Sequence, residues 1–555
     1  MSDNNTYKFH FTDILLFLSL LCIGSFHEYI SCALSASMCI YLLLRLKKTK
    51  TLRIRKDFLT SAVVAVCLGY GLTCLWAVDR GMAFIGFLKF LPLLLYLFCI
   101  QQEEQFAQAL DILPAFGALL AILSAIGMQI PVVKVLFSVA GRLAGTFQYP
   151  NTFAIFLLIC ELLLLKKPGK KLFDYIVLLV LVAGFLYAGS RTAFVVAVLA
   201  NAAMLLAITQ KKVRIISLAV LGGVLLVGLL LALIPGSVLN RFLTISLTES
   251  TFVGRLLYWA DALPLLLKYP FGMGYMGYFY VQQGIQTGVY SVAYVHNDLL
   301  QLILDIGIIP AGLFVAAIAA WFFKKTVPLS DKIIVGSLCL HSLFDFNMQF
   351  IGMFFLLLLL LSQEKTDKIQ LAKLRLPSKV CFGAVALVSL YIGASLMLAH
   401  FGSRDLADTL YPYNTQNKLS ILEQTEDLET ANVLADEILA QNTQFFAPYS
   451  IKAKYAYSQG DFATLIKQQR AALERNPFSH TEYEAYCKML ITGIDLYRKA
   501  GDSQSMEICK KELLAARDQL AANTDRLSPL GKMINDQPVL VLPLEIRDYI
   551  NKLGA

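Results

Sequence analysis

Charge is scarce in this chain. Of its 555 residues only 16% are Asp, Glu, Lys or Arg, against roughly 25% in a soluble globular domain, so a water-soluble fold is excluded for most of its length. Histidine (6) and tryptophan (3) are also few, and no CxxC, HExxH or comparable spacing occurs, so no motif supports a metal centre or another cofactor. The polar start carries no basic n-region ahead of the apolar run Ile14–Phe26, and no small-residue cleavage site follows it. That run is expected to be a retained span rather than a signal peptide. Two related halves, as in transporters built by duplication, are not visible either.

Apolar residues fill the space that charge leaves, at 57% of the chain. Runs near 20 residues recur to about residue 399, each long enough to cross a hydrocarbon core of about 30 Å. The expected architecture is all-α and polytopic, with about 12–13 transmembrane helices. They fall near 11–26, 28–46, 58–76, 82–100, 111–130, 151–165, 172–189, 192–209, 215–234, 299–323, 333–349, 350–363 and 380–400. Basic clusters at Arg45–Lys56, Lys166–Lys171, Lys211–Arg214, Lys324–Lys332 and Lys365–Lys379 each sit between two spans. The positive-inside rule explains them better than nucleic-acid binding, and it puts the N-terminus inside. The same parity puts 77–81, 131–150, the Ser190–Arg191 turn, 235–298 and everything after 400 outside. Most of the 11 cysteines lie in apolar spans, where they read as small buried hydrophobes. Cys487 and Cys509 lie in the polar part and could pair in an oxidising space.

Two domains are therefore expected: a transmembrane domain, 1–400, with a large outer loop at 235–298, and an outer helical domain, 401–555. In the second, Ala453–Phe462 reads as helix, Gly-Asp turn, helix, and the pattern closes at Asn476-Pro477. It resembles one tetratricopeptide (TPR) unit, with a looser echo at Lys499–Asp502, too far along for a regular repeat array. Envelope proteins are the partners such a tail would take.

Basic residues on the outer side are few, and so informative. Arg142 precedes Tyr149-Pro150-Asn151; Arg191 follows Gly189-Ser190; Arg255 follows Gly254. Each could be a snorkelling interfacial arginine. Each could also hold a diphosphate, because a guanidinium stays charged and donates a fork of hydrogen bonds. His296 opens a span in His296-Asn297-Asp298-Leu299-Leu300. It could merely precede a helix cap supplied by Asn297 or Asp298, or take a proton from an attacking hydroxyl, since imidazole titrates near neutral pH. His341 and Asp345 stand at i and i+4 inside a span, so they are expected on one helix face, either as an oriented pair or as a structural one. Lys89, also inside a span, reads as a carboxylate partner or a snorkelling residue.

At these residues the chain resembles the O-antigen ligase and Wzy-type polymerase superfamily of bacterial membrane glycosyltransferases. The matching pieces are Arg142–Asn151, Ser190–Ala193, Gly254-Arg255 with Trp259, Gly272–Gly274, His296–Leu300 with Gly307, and His341–Asp345, roughly 135 to 360. The resemblance implies a GT-C-type fold in the bacterial cytoplasmic membrane, a glycan donor on undecaprenyl diphosphate, and transfer without a metal. It implies that Arg191 and Arg255, with Arg142, hold the diphosphate and that His296 activates the acceptor hydroxyl. Asn297, Asn151, His341 and Asp345 would support them. The TPR-like tail resembles some Gram-positive and oligosaccharyltransferase relatives and departs from compact lipid A-core ligases. Ligase, polymerase and protein O-oligosaccharyltransferase share the donor and differ in acceptor. A lipid-linked-glycan flippase and an envelope-assembly scaffold are the readings from other classes.

Overall fold

The apolar stretches fold as helices, the form in which a backbone in hydrocarbon satisfies its own hydrogen bonds. The computed structural model describes residues 9–103, 108–246, 248–363, 368–371, 375–534 and 539–554. Part of the basic stretch 365–379 and the polar start, 1–8, lie outside the described residues. Among the described residues, five helices are long and apolar enough to cross a membrane: Glu28–Thr49, Arg80–Gln102, Ala109–Gly127, Lys211–Ala232 and the apolar part of Arg375–His400. Shorter apolar helices accompany them, among them Phe11–Leu21, Phe58–Thr73, Leu172–Ala188 and Arg191–Ala207. Many turn large apolar side chains outward, as Leu225, Leu226, Val227, Leu229 and Leu230 do. Lipid is the environment in which such a surface is stable. The protein is an all-α polytopic membrane protein.

The chain forms two compact units. The first comprises residues to Gly71, Ile85–Ser246 and His296–Met397; the second comprises Leu72–Phe84, Leu247–Val295 and the chain from Leu398 onward. The stretch 235–298 is thus divided between them. It is not a plain loop, because the helices Ser250–Lys268 and Gly277–Ile285 lie in it.

In the first unit the helix Pro150–Lys166 is central. It packs against Ala109–Gly127, Leu172–Ala188, Arg191–Ala207 and Leu329–Ser342, and every residue from Thr152 to Leu165 is buried. Two expected spans differ from the structure. The one at 299–323 is broken into Asp298–Ile306 and Ile308–Phe323 at Gly307, whose φ of 88° leaves the helical region. The pair at 333–363 gives Leu329–Ser342 and Ile351–Leu361, separated by a 3-10 turn at Asn347–Gln349. At about 1.5 Å per residue, neither reaches across a 30 Å core. Lys89 is fully buried, 3.4 Å from Glu28 and over the Phe26 ring, so it is a carboxylate partner and does not snorkel. Among the described residues the unit also holds two antiparallel two-stranded ribbons: Leu52–Arg55 with Lys368–Leu371, and Ser138–Val139 with Arg142–Leu143.

The second unit is helical. Gly460 and Gly501 (both φ 73°) end one helix, and the next residue, Asp461 or Asp502, caps the following one through the amide of Thr464 or Ser505. Glycine is suited to the left-handed position and aspartate to the cap, which is why Gly-Asp marks both turns. Cys487 and Cys509 are buried in the core of this unit as free thiols, beside Phe462, Leu490 and Leu513, so the pairing that spacing allowed is not made. Asp79 accepts from Asn442, Tyr411 donates to the Gly81 carbonyl, and Gln416 donates to Tyr280. These bonds tie the three chain segments of the unit together.

Candidate active site

The site in the first unit begins with a tight hairpin. Val139 pairs with Arg142 across Ala140 and Gly141, both left-handed (φ 49° and 74°), as a two-residue hairpin turn requires. The turn brings half-buried Arg142 back toward the N-terminus of the central helix. Arg142 donates through Nε to the Ala188 carbonyl (2.8 Å) and through an Nη to Asn151 Oδ1 (2.6 Å). Tyr149 stands at the N-cap position of that helix without a side-chain cap bond, and proline at the first helical position places Asn151 in the first turn.

Asp345 joins this arm to His296. Its fully buried carboxylate accepts from Tyr149 Oη (2.8 Å) and Asn151 Nδ2 (2.8 Å), and Oδ1 lies 3.4 Å from His296 Nδ1. The imidazole meets the Phe346 ring edge-on at 4.9 Å, and Phe346 stacks on Tyr149. One connected series therefore runs Arg142–Asn151–Asp345–His296. His296 has φ 53°, a left-handed conformation uncommon outside glycine and often retained at functional sites. It does not cap the helix that follows: Asn297 does, its Oδ1 accepting from Leu300 N at 3.0 Å. The cap and the imidazole are separate features.

His341 and Asp345 do not share a helix face, contrary to the i, i+4 expectation. The helix ends at Ser342, and the two residues that follow, Leu343 and Phe344, turn Asp345 toward His296. His341 Nδ1 instead meets Asn347 Nδ2 at 2.9 Å; Asn347 also bonds Ser342 and Thr152. With Nδ1 accepting from that amide, the assigned tautomer carries its proton on Nε2. Asp298 accepts from the Met348 amide, so this polar layer fixes the turn behind the site.

Arg191 is the first residue of the helix Arg191–Ala207, behind the N-cap Ser190. It donates through Nε to the Arg241 carbonyl and through an Nη to Thr244 Oγ1, each at 3.1 Å. Arg142 and Arg241 both approach Gly189: a Cβ there would stand 3.6 Å from Arg142 Nε and 3.7 Å from Arg241 Cδ. Burial, together with the charges of Arg241 and Arg191, pulls the Arg142 guanidinium down to about 10, while Tyr149 and Asp345 oppose them. Arg241 and Tyr149 were missed as site residues by sequence reasoning. The rule that selected Arg142, Arg191 and Arg255 selects Arg241 as well, because it too stands in a segment expected on the outer side.

Arg255 belongs to the second unit, on the helix Ser250–Lys268. One turn on, Trp259 Nε1 donates to the Val295 carbonyl. Asp261 accepts from the Thr287 amide, the Thr287 hydroxyl and Tyr290, and so anchors the returning chain to that helix. Among the described residues no group of three His, Cys, Asp or Glu side chains gathers as metal ligands.

The stretch 176–315 matches the model of the O-antigen ligase family (Wzy_C). It takes in Arg191, Arg241, Arg255 and His296 and leaves out Arg142, Asn151 and Asp345, which reach the site from outside it. This match supports the O-antigen ligase superfamily. No curated protein and no solved structure matches the chain.

Proposed function

We propose that this protein transfers a glycan from an undecaprenyl-diphosphate carrier to an acceptor hydroxyl at the outer face of the bacterial cytoplasmic membrane, in surface-polysaccharide assembly. The observation that carries the reading is the His296–Asp345 pair, linked through Asn151 to Arg142. That is a base, its orienting carboxylate and an anion-binding group in one series. The family match over 176–315 supports the same reading.

In this mechanism His296 keeps its proton on Nδ1, facing the Asp345 carboxylate, and that tautomer leaves the Nε2 lone pair for the acceptor hydroxyl. The acceptor hydroxyl gives its proton to Nε2 as its oxygen bonds the anomeric carbon. The bond from that carbon to the diphosphate breaks, and its electron pair leaves on the diphosphate oxygen. Arg142 and Arg191 stabilise the negative charge that develops there as preorganised donors. Arg255 is assigned to the diphosphate because the resemblance carried by Gly254-Arg255 implies it. Asn297 holds the helix behind His296, and His341 supports the turn that carries Asp345. The acceptor (a lipid-borne sugar, the growing glycan or a protein hydroxyl) separates ligase, polymerase and oligosaccharyltransferase. A transfer assay with purified protein, lipid-linked glycan and each acceptor class tests the proposal; no transfer to any of them overturns it.

Arg191→Ala and Arg255→Ala are expected to weaken binding of the lipid diphosphate by about 1.5–3 kcal/mol each, the size of a charge-assisted hydrogen bond. Arg→Lys recovers only part, because the fork is lost. Titration of detergent-solubilised protein with undecaprenyl diphosphate checks this; wild-type affinity in both Ala variants removes these residues from the donor site.

The segment from 401 is assigned to the outer side as a TPR-like domain that takes envelope proteins as partners. Val433, exposed on the helix Leu428–Gln441, provides the test. In intact cells Val433→Cys is expected to react with an impermeant maleimide above the background of the native cysteines. Reaction only after lysis reverses the topology.

A further inference from the structure

Arg241 lies where three chain segments meet. These segments, 138–151, 184–197 and 235–246, contribute Arg142, Arg191 and Arg241 and contain no Asp or Glu. Arg142 and Arg241 side chains approach the same point beside Gly189, each within 4 Å of where its Cβ would stand. Arg191 holds the backbone of Arg241 and the side chain of Thr244, so the position of one arginine depends on the other. The amino end of the helix Arg191–Ala207 adds its partial positive charge at the same place. Asp345, whose charge also acts on Arg142, accepts from Tyr149 and Asn151. Arg142 feels the like charges of Arg241 and Arg191, and a bound anion opposes that repulsion.

We propose that Arg241 is a third donor-site guanidinium, which together with Arg142 and Arg191 takes both phosphates of a lipid diphosphate. The proposal rests on the donor-site reading given above and adds two things to it: the residue, and selectivity for a diphosphate over a monophosphate. Two arginines suffice to fork a single phosphate; the third has a role only when a second phosphate is present.

The test titrates full-length protein in detergent with undecaprenyl diphosphate and, separately, with undecaprenyl monophosphate. Arg241→Ala is expected to weaken the diphosphate about 10-fold or more and the monophosphate much less, so that selectivity falls. Because Arg191 grips the Arg241 backbone, the Arg191→Ala/Arg241→Ala double variant is expected to lose less than the product of the single losses. Unchanged diphosphate binding in Arg241→Ala, with Arg191→Ala weakened, overturns the proposal and leaves the donor site standing. Wild-type binding in both variants removes the donor site itself. Equal loss for both lipids reduces Arg241 to a structural role and also overturns the proposal. If Arg241→Ala does not give stable protein, Arg241→Gln removes the charge while keeping the apolar stem and a polar end, and is judged by the same outcomes.

Discussion

His296→Ala is expected to lower turnover by at least about 10²-fold while binding of the lipid diphosphate stays near wild type. A diphosphate is already a good leaving group, so an acid contributes little on that side. The difficult part is making a sugar hydroxyl nucleophilic near neutral pH, and a positioned base supplies about 10²–10⁴-fold there. The geometry separates this role from the bland one. Asn297 caps the helix Asp298–Ile306, so removing the imidazole leaves the cap in place and the protein is expected to remain stable in detergent. Single-turnover transfer and donor titration on the same preparation check the result. Normal turnover with weakened binding would move His296 to the donor site, and loss of stable protein would return it to a structural role.

Asp345→Asn is expected to reduce turnover by about 10²-fold, less than the roughly 10⁴-fold seen when the orienting carboxylate of a hydrolytic triad becomes an amide. The His296 contact is longer than an ideal hydrogen bond, at 3.4 Å, so its loss costs less. An amide cannot stabilise the imidazolium formed as the hydroxyl loses its proton. It does keep an oxygen for Tyr149 or Asn151, so the arm to Arg142 largely survives. The loss should therefore appear in kcat, with donor affinity changed only a few-fold. Asp345→Glu, which restores the charge at a different reach, should recover part of it. Equal losses in kcat and affinity would instead make Asp345 a brace for Arg142.

Much of the architecture was legible because hydrocarbon imposes simple rules. A backbone that must bond to itself becomes helix, and the apolar runs from Glu28 to Gly127 emerge close to their expected ends. Gly460-Asp461 and Gly501-Asp502 were legible for a similar local reason: a left-handed glycine followed by a capping aspartate encodes a turn within a few residues. Runs interrupted by a glycine or a polar turn were less so. Gly307 splits one expected span, and Asn347–Gln349 separates two helices shorter than a bilayer.

Within the site, residue types and neighbourhoods were readable, and partnerships were not. Arg142, Asn151, Arg191 and His296 could be named because charged or polar groups at the edge of apolar spans are costly unless used. Spacing offered His341 as the partner of Asp345, whereas the fold gives Asp345 to His296, Tyr149 and Asn151. Helical periodicity holds only while the helix lasts, and this one ends at Ser342, before Asp345. The sequence by itself determined the membrane class, the all-α content, the turn chemistry and which residue types could serve a phosphate and a hydroxyl. Only the tertiary structure decided that Arg241 stands beside Arg142 and Arg191, and that Asp345 faces His296. Those contacts join residues distant along the chain, set by how the central helix Pro150–Lys166 packs against its neighbours, and no local rule of propensity or period reaches that far.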